Sequence, residues 1–326
     1  MRLSSLLLGA WVIAASAAAI SAPHPHLRPM ILEAGSGRLA PGSEKLLCHR
    51  KRAPAHGMEV GRVKFLMPGD GGYHVALLRP QPGKLEWPAR ECPFLHVPTD
   101  PWESIARSQH PVLDWRLPPG VAIRLEPRQP LLIQTHYLRP GDGTHERRRW
   151  KTKTELYPVD PATVTAHAGM LVLDDRVPLY DLPRGRSVET SRCTVTGEDA
   201  EARELRIIGL RGHYHFHGSA IEAYRVKADG SLGELLYGFA GFDQPDFRQY
   251  SDDPIVLHPG EGIEWRCTYD VNNYYGRFCP GLGPCPQEHC LLFGAYYPTD
   301  TPQEAIHCVH HHDLVGGDVV TRTLVP

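Results

Sequence analysis

Proline and glycine, 31 of each in 326 residues, recur so often along this chain that few helices of ordinary length can run uninterrupted. They follow no Gly-X-Y period, so a collagen-like rod is excluded. Between these breaks stand short runs of strand-forming composition. They include residues 73–78 (YHVALL), 121–125 (VAIRL), 131–138 (LLIQTHYL), 170–173, 221–226 (IEAYRV) and 255–257. Many short strands separated by turn residues predict an all-β chain built of antiparallel sandwiches. The best helix candidate is a short amphipathic stretch at residues 102–109. Two prolines and an aspartate in YPVDPATV, residues 157–164, interrupt the strand pattern and predict a domain boundary. The expected organisation is a segment 1–22, one sandwich over 30–160 and a second over 161–326, each of ordinary domain size.

Residues 1–22 carry one arginine ahead of an apolar run diluted by alanine and serine, which predicts a secretory signal peptide with Ala15-Ser16-Ala17 as its cleavage motif. The run is short for a membrane span, and no later segment has 18 uninterrupted apolar residues, so a soluble, secreted or periplasmic protein is expected. A net charge of -2 without a basic block argues against a nucleic-acid partner. Export also decides how the eight cysteines are read: paired cysteines become disulfides outside the cell. A cysteine zinc site is disfavoured because no C-x-x-C pair occurs.

The 19 histidines are the other unusual count. His213 and His215 flank Tyr214 in LRGHYHFHGSAIEAYRV. On a strand, positions i and i+2 share a face about 6.6 Å apart, so two imidazoles there either converge on one metal ion or stand exposed side by side. His217 continues that face. His74 and His136 each read, alone, as a satisfied polar strand residue, and His289, between Glu288 and Cys290 ahead of LLFGAYYP, is by itself unremarkable. His310, His311 and His312, with His307 nearby, alternate faces on any extended chain and are expected in a solvated loop.

Taken in order, RGHYHFHG followed by AYRV, VLHPGEGIEWRCTYD and EHCLLFGAYYP resemble segments of the copper type II, ascorbate-dependent monooxygenases, the family of peptidylglycine α-hydroxylating monooxygenase and dopamine β-hydroxylase. LPPGVAIRL before LLIQTHY, and AHAGMLVL, add weaker support. The resemblance is collinear from about Pro41 to Pro298. It implies two jelly-roll-like sandwiches facing a cleft, each holding one copper. His213 and His215 would bind the oxygen-activating copper. His289 stands where the family has a methionine ligand, and imidazole in place of a thioether favours Cu(II) over Cu(I) and admits zinc. His74 and His136 match two of three ligands of the electron-donating copper. Tyr73 stands at the third, with Tyr73, water or another histidine such as His56 left to complete the set.

The resemblance also implies disulfides Cys48–Cys92, Cys193–Cys308 and Cys267–Cys290. Cys279 and Cys285, six residues apart in a Pro/Gly-rich loop, are left to pair with each other. Arg211 matches a substrate-carboxylate arginine, but Leu291 and Phe293 replace its polar companions, so a peptidylglycine substrate is not expected. The reading is a secreted monooxygenase that hydroxylates a C–H bond of a small organic substrate with O₂ and an external reductant such as ascorbate. It would use one or two copper ions. The alternative is a non-catalytic metal- or ligand-binding module on the same scaffold. The sequence leaves substrate, reductant and oligomeric state open.

Overall fold

A computed structural model of the chain describes residues 28–68, 71–81, 102–139, 145–178, 184–195, 204–214, 217–241, 245–271, 278–279, 283–284, 287–299, 301, 305–311 and 324–325. The fold is all-β, and no α-helix occurs among the described residues. The first part contains β1 (Met30–Gly35), β2 (Glu44–Arg52), β3 (Met58–Leu66), β4 (Gly72–Pro80), β5 (Trp102–Ser108), β6 (Val112–Arg116), β7 (Val121–Leu125), β8 (Pro130–Leu138), β9 (Lys151–Pro158) and β10 (Ala166–His167). The second contains β11 (Gly169–Pro178), β12 (Arg186–Val195), β13 (Leu205–Tyr214), β14 (Gly218–Val226), β15 (Leu232–Ala240), β16 (Arg248–Gln249), β17 (Ile255–Leu257), β18 (Gly262–Asp270), β19 (Phe278–Cys279), β20 (Gly283–Pro284), β21 (Gln287–Tyr297), β22 (Ala305–His311) and β23 (Leu324–Val325).

These strands form four main sheets. The first runs β1-β9-β3-β7-β10 with β6 also on β3, and the second runs β2-β8-β4-β5. The third runs β16-β13-β21-β11-β22 with β17 also on β13, and the fourth runs β15-β14-β18-β12-β23. Pairing is antiparallel except β7 with β10 and β11 with β22. The first two sheets close on a core that includes Val63, Phe65, Val75, Leu77, Leu131 and Ile133. The other two close on Leu171, Leu173, Ile221, Trp265, Leu292 and Ile306. The chain passes from one pair of sheets to the other at Ala168, which is buried.

The period of two sets which residues meet. On β8, Leu131 and Ile133 point into the first core, while Leu132 joins Cys48, Ala76, Leu78 and Trp102 on the opposite face. Both faces of β8 are therefore covered, which is why LLIQTHYL reads as a nearly continuous apolar run.

Two sequence expectations fail here. Residues 102–109 are not helical: Trp102–Ser108 is β5, hydrogen-bonded to β4. The register slips between Leu77 and Leu78, opposite Ala106 and Ser104, which leaves Ile105 as an extra residue. Ile105 and Ala106 consequently both reach the first core while Trp102 packs on the other face. A bulge inside a doubly covered strand thus mimics the apolar spacing of a helix. His310 and His311 likewise lie in a strand, β22, rather than a loop, because β22 continues the third sheet beside β11. His312 lies outside the described residues.

Candidate metal centre

His74 and His136 form a directly opposed cross-strand pair on β4 and β8. Their ring centroids are 5.0 Å apart, edge to face. Metal–nitrogen bonds of about 2.0 Å at a tetrahedral angle put two imidazole centroids roughly 5 Å apart, so the pair fits one shared ion. His136 is buried, and its Nε2 lies 3.5 Å from a carboxylate oxygen of Glu44. Such a carboxylate beside a metal-binding imidazole fixes ring orientation. His74 keeps some contact with solvent. Enclosure by protein nevertheless lowers its pKa well below the ordinary histidine value, and repulsion by His136, Arg107 and Arg211 lowers it further. It is therefore held neutral, the form that binds metal. The β4–β8 register shifts between Gly72 and His74, at Tyr73, whose side chain lies outside the described residues. His56 lies exposed in the turn between β2 and β3. Among the described residues no group of three histidine, cysteine, aspartate or glutamate side chains is placed to hold one ion.

The third sheet presents the other candidate ligands. Arg211 and His213 of β13 stand opposite Phe293 and Leu291 of β21. His289 is in β21, opposite Arg176 of β11, but its side chain lies outside the described residues, as does the whole of His215. His217 is half-buried just before β14. β21 is anchored beside His289: Cys290 is bridged to Cys267 of β18, and the Trp265 indole N–H donates to the Cys290 carbonyl at 2.9 Å. A second bridge, Cys193–Cys308, ties β12 to β22. Cys48 is also disulfide-bonded, while Cys92 and Cys285 lie outside the described residues and nothing of the Cys279 side chain is described. The two described bridges are compatible with an extracellular location.

Two side chains that the sequence did not single out, Arg107 and Gln109, meet Arg211 at the junction of the two halves. The Arg107 guanidinium of β5 lies 4.4 Å from the centre of the Phe293 ring. Arg211 is buried, and it donates to the side-chain oxygen of Gln109. The cavity lined by Arg107, Arg211, Phe293 and Trp115 is about 10 Å³, no larger than one water. Read as a strand, residues 102–109 would have put Arg107 and Gln109 on one face; the helical reading concealed that.

His307, expected near a solvated loop, instead lies in β22, opposite Val172 and near Asp174 and Arg107. Burial lowers its pKa, against an opposing pull from Asp174. Its contribution to stability is therefore complete above the unfolded-state value of about 6.5 and is lost as pH falls below that value. His307→Gln should flatten the fall of unfolding free energy between pH 7 and pH 5, by up to about 1.4 kcal/mol per pH unit. Denaturant titrations across that range check this; an unchanged slope would contradict it.

No family model matches the chain, and no curated protein matches it. Among solved structures, a protein of Parabacteroides distasonis inferred to be secreted aligns over 83% of this chain and 89% of its own, at 9% identity and a TM-score of 0.19. A likeness that low carries no argument about fold or activity. Among the described residues, no helix is long and apolar enough to cross a membrane.

Proposed function

We propose that this chain is an exported copper protein of the ascorbate-dependent monooxygenase type, hydroxylating a C–H bond of a small organic substrate. The observation that carries the reading is the His74–His136 pair, two opposed imidazoles at the separation one metal ion imposes. His74 and His136 hold the electron-donating ion, with Glu44 orienting His136. His213, His215 and His289, matched by the family resemblance, would hold the oxygen-activating ion on the second sandwich. Bound copper supplies one-electron transfer and dioxygen activation. The reaction takes two electrons from the reductant and two protons, places one oxygen atom in the C–H bond and releases the other as water. Leu291 and Phe293 cover the face beside His213 with apolar surface, which limits water there.

A second reading, a metal-binding module without turnover, has its own support. Arg107 covers Phe293, and Arg211 is engaged by Gln109, at the positions where a substrate clamp would stand.

Elemental analysis of the purified full chain is expected to give copper rather than zinc. His74→Ala or His136→Ala should weaken metal binding at the first site at least about 100-fold. Ascorbate-dependent O₂ uptake stimulated by organic compounds supports the enzyme, and bound copper with no uptake supports the module. Zinc alone, or metal content and affinity unchanged in both variants, overturns the copper reading.

A further inference from the structure

A basic platform stands on the first sandwich, and neither the histidines nor the junction uses it. Arg38, Arg147, Arg148 and Arg149, with Glu146, line an open depression of about 840 Å³. All five are exposed, whereas Trp150 beneath them is 7% exposed. Among the described lining residues, four guanidinium groups stand with one carboxylate, which makes a positive field on a chain whose net charge is -2. Among the described residues Arg38, Arg147 and Arg149 have no acidic partner.

The backbone under these arginines is fixed on both sides. Leu39 and Arg148 exchange hydrogen bonds at 2.9 and 3.1 Å, and Ser36 N–H donates to the Trp150 carbonyl at 2.9 Å. The Trp150 N–H donates to the Ser36 hydroxyl at 2.8 Å. The buried Arg139 donates to the Leu39 carbonyl at 3.1 Å and also to the Glu146 carbonyl, clasping both segments. Trp150 locks the base: a Cβ on Gly71 would come within 2.2 Å of its ring. The arginines therefore sit on a pinned bridge rather than a loose loop. A fixed scaffold reduces the ordering cost of binding, and repulsion among like charges held together is relieved by an anion.

We propose that this platform binds an acidic polysaccharide through its carboxylate or sulfate groups. Guanidinium forks suit such anions, pairing with two oxygens at once. Among the described residues the lining has no exposed aromatic ring on which a nucleic-acid base would stack, and no exposed apolar side chain to enter a bilayer. Export, expected from the N-terminal segment, would bring the platform among such polymers. The inference does not rest on the metal reading.

The test uses the full chain on immobilised heparin, with soluble polygalacturonate as competitor. Retention at low salt and release by added NaCl or by the competitor are expected. Arg147→Glu with Arg149→Glu should weaken binding at least about tenfold. Arg147→Gln with Arg149→Gln should weaken it less. Lys227→Glu with Arg186→Glu makes the same change in net charge on the second sandwich and should leave retention intact. Equal weakening by both Glu pairs, or no retention of the native chain, overturns the proposal. Tighter binding to single-stranded DNA or to anionic phospholipid vesicles than to heparin overturns it as well.

Discussion

Replacing Cys193 and Cys308 together by serine is expected to destabilise the protein by about 4–5 kcal/mol, the larger loss of the two described bridges. The loop closed by Cys193–Cys308 spans 115 residues, against 23 for Cys267–Cys290. In the chain-entropy account a loop of about 100 residues gains roughly 4.7 kcal/mol from closure, and one of 15 about 3. Position adds to length. Cys193 lies in the fourth sheet and Cys308 in the third, both inaccessible to solvent in the second core. Among the described residues β22 is the edge strand of its sheet, paired there with β11, and the bridge ties it covalently across the sandwich. Guanidinium melts of the native chain and the double variants check the order. A larger loss from Cys267→Ser with Cys290→Ser would contradict it.

The second large effect is expected at the junction. Trp115 of β6 is 1% exposed and meets Phe247 of the second half edge to face, with ring centroids 5.5 Å apart. Met170, Ile208 and Ala295 of the second half join the same buried cluster. Polar contacts flank it: the Gln249 side-chain N–H donates to the Asp114 carbonyl at 2.8 Å, and the Ser251 hydroxyl donates to the Arg116 carbonyl. Trp115→Ala should cost about 3–5 kcal/mol, the range for truncating a buried aromatic. The Arg107 contact with Phe293 crosses the same junction and should loosen with it. Calorimetry should then show the halves unfolding in two steps rather than one. A loss below about 1 kcal/mol with a single unchanged transition would show that Trp115 does not join the halves.

Legibility of the candidate site differed by residue for physical reasons. His136 could be placed from LLIQTHYL because a short apolar, β-branched run bounded by turn residues defines a strand without help from the rest of the chain. Its meeting with His74 depended on the register between β4 and β8, strands more than 50 residues apart, which local periodicity does not encode. Arg211 stood in the sequence as a strand residue beside a histidine pair. Its burial against Gln109 follows from how the two halves dock. The basic platform was equally hidden. Arg147, Arg148 and Arg149 are visible as a short run, but Arg38 joins them through long-range pairing at Leu39–Arg148 and Ser36–Trp150.

The sequence by itself determined the all-β class and most strand positions, because proline and glycine punctuation and the two-residue period act within a few residues. Tertiary structure decided β5, where one bulged residue turned a helical apolar spacing into a strand buried on both faces. It decided β22, where pairing with β11 made a strand of a histidine run that looked fit for a loop. It also decided which charges became buried at the junction, since that depends on two surfaces brought together from distant parts of the chain.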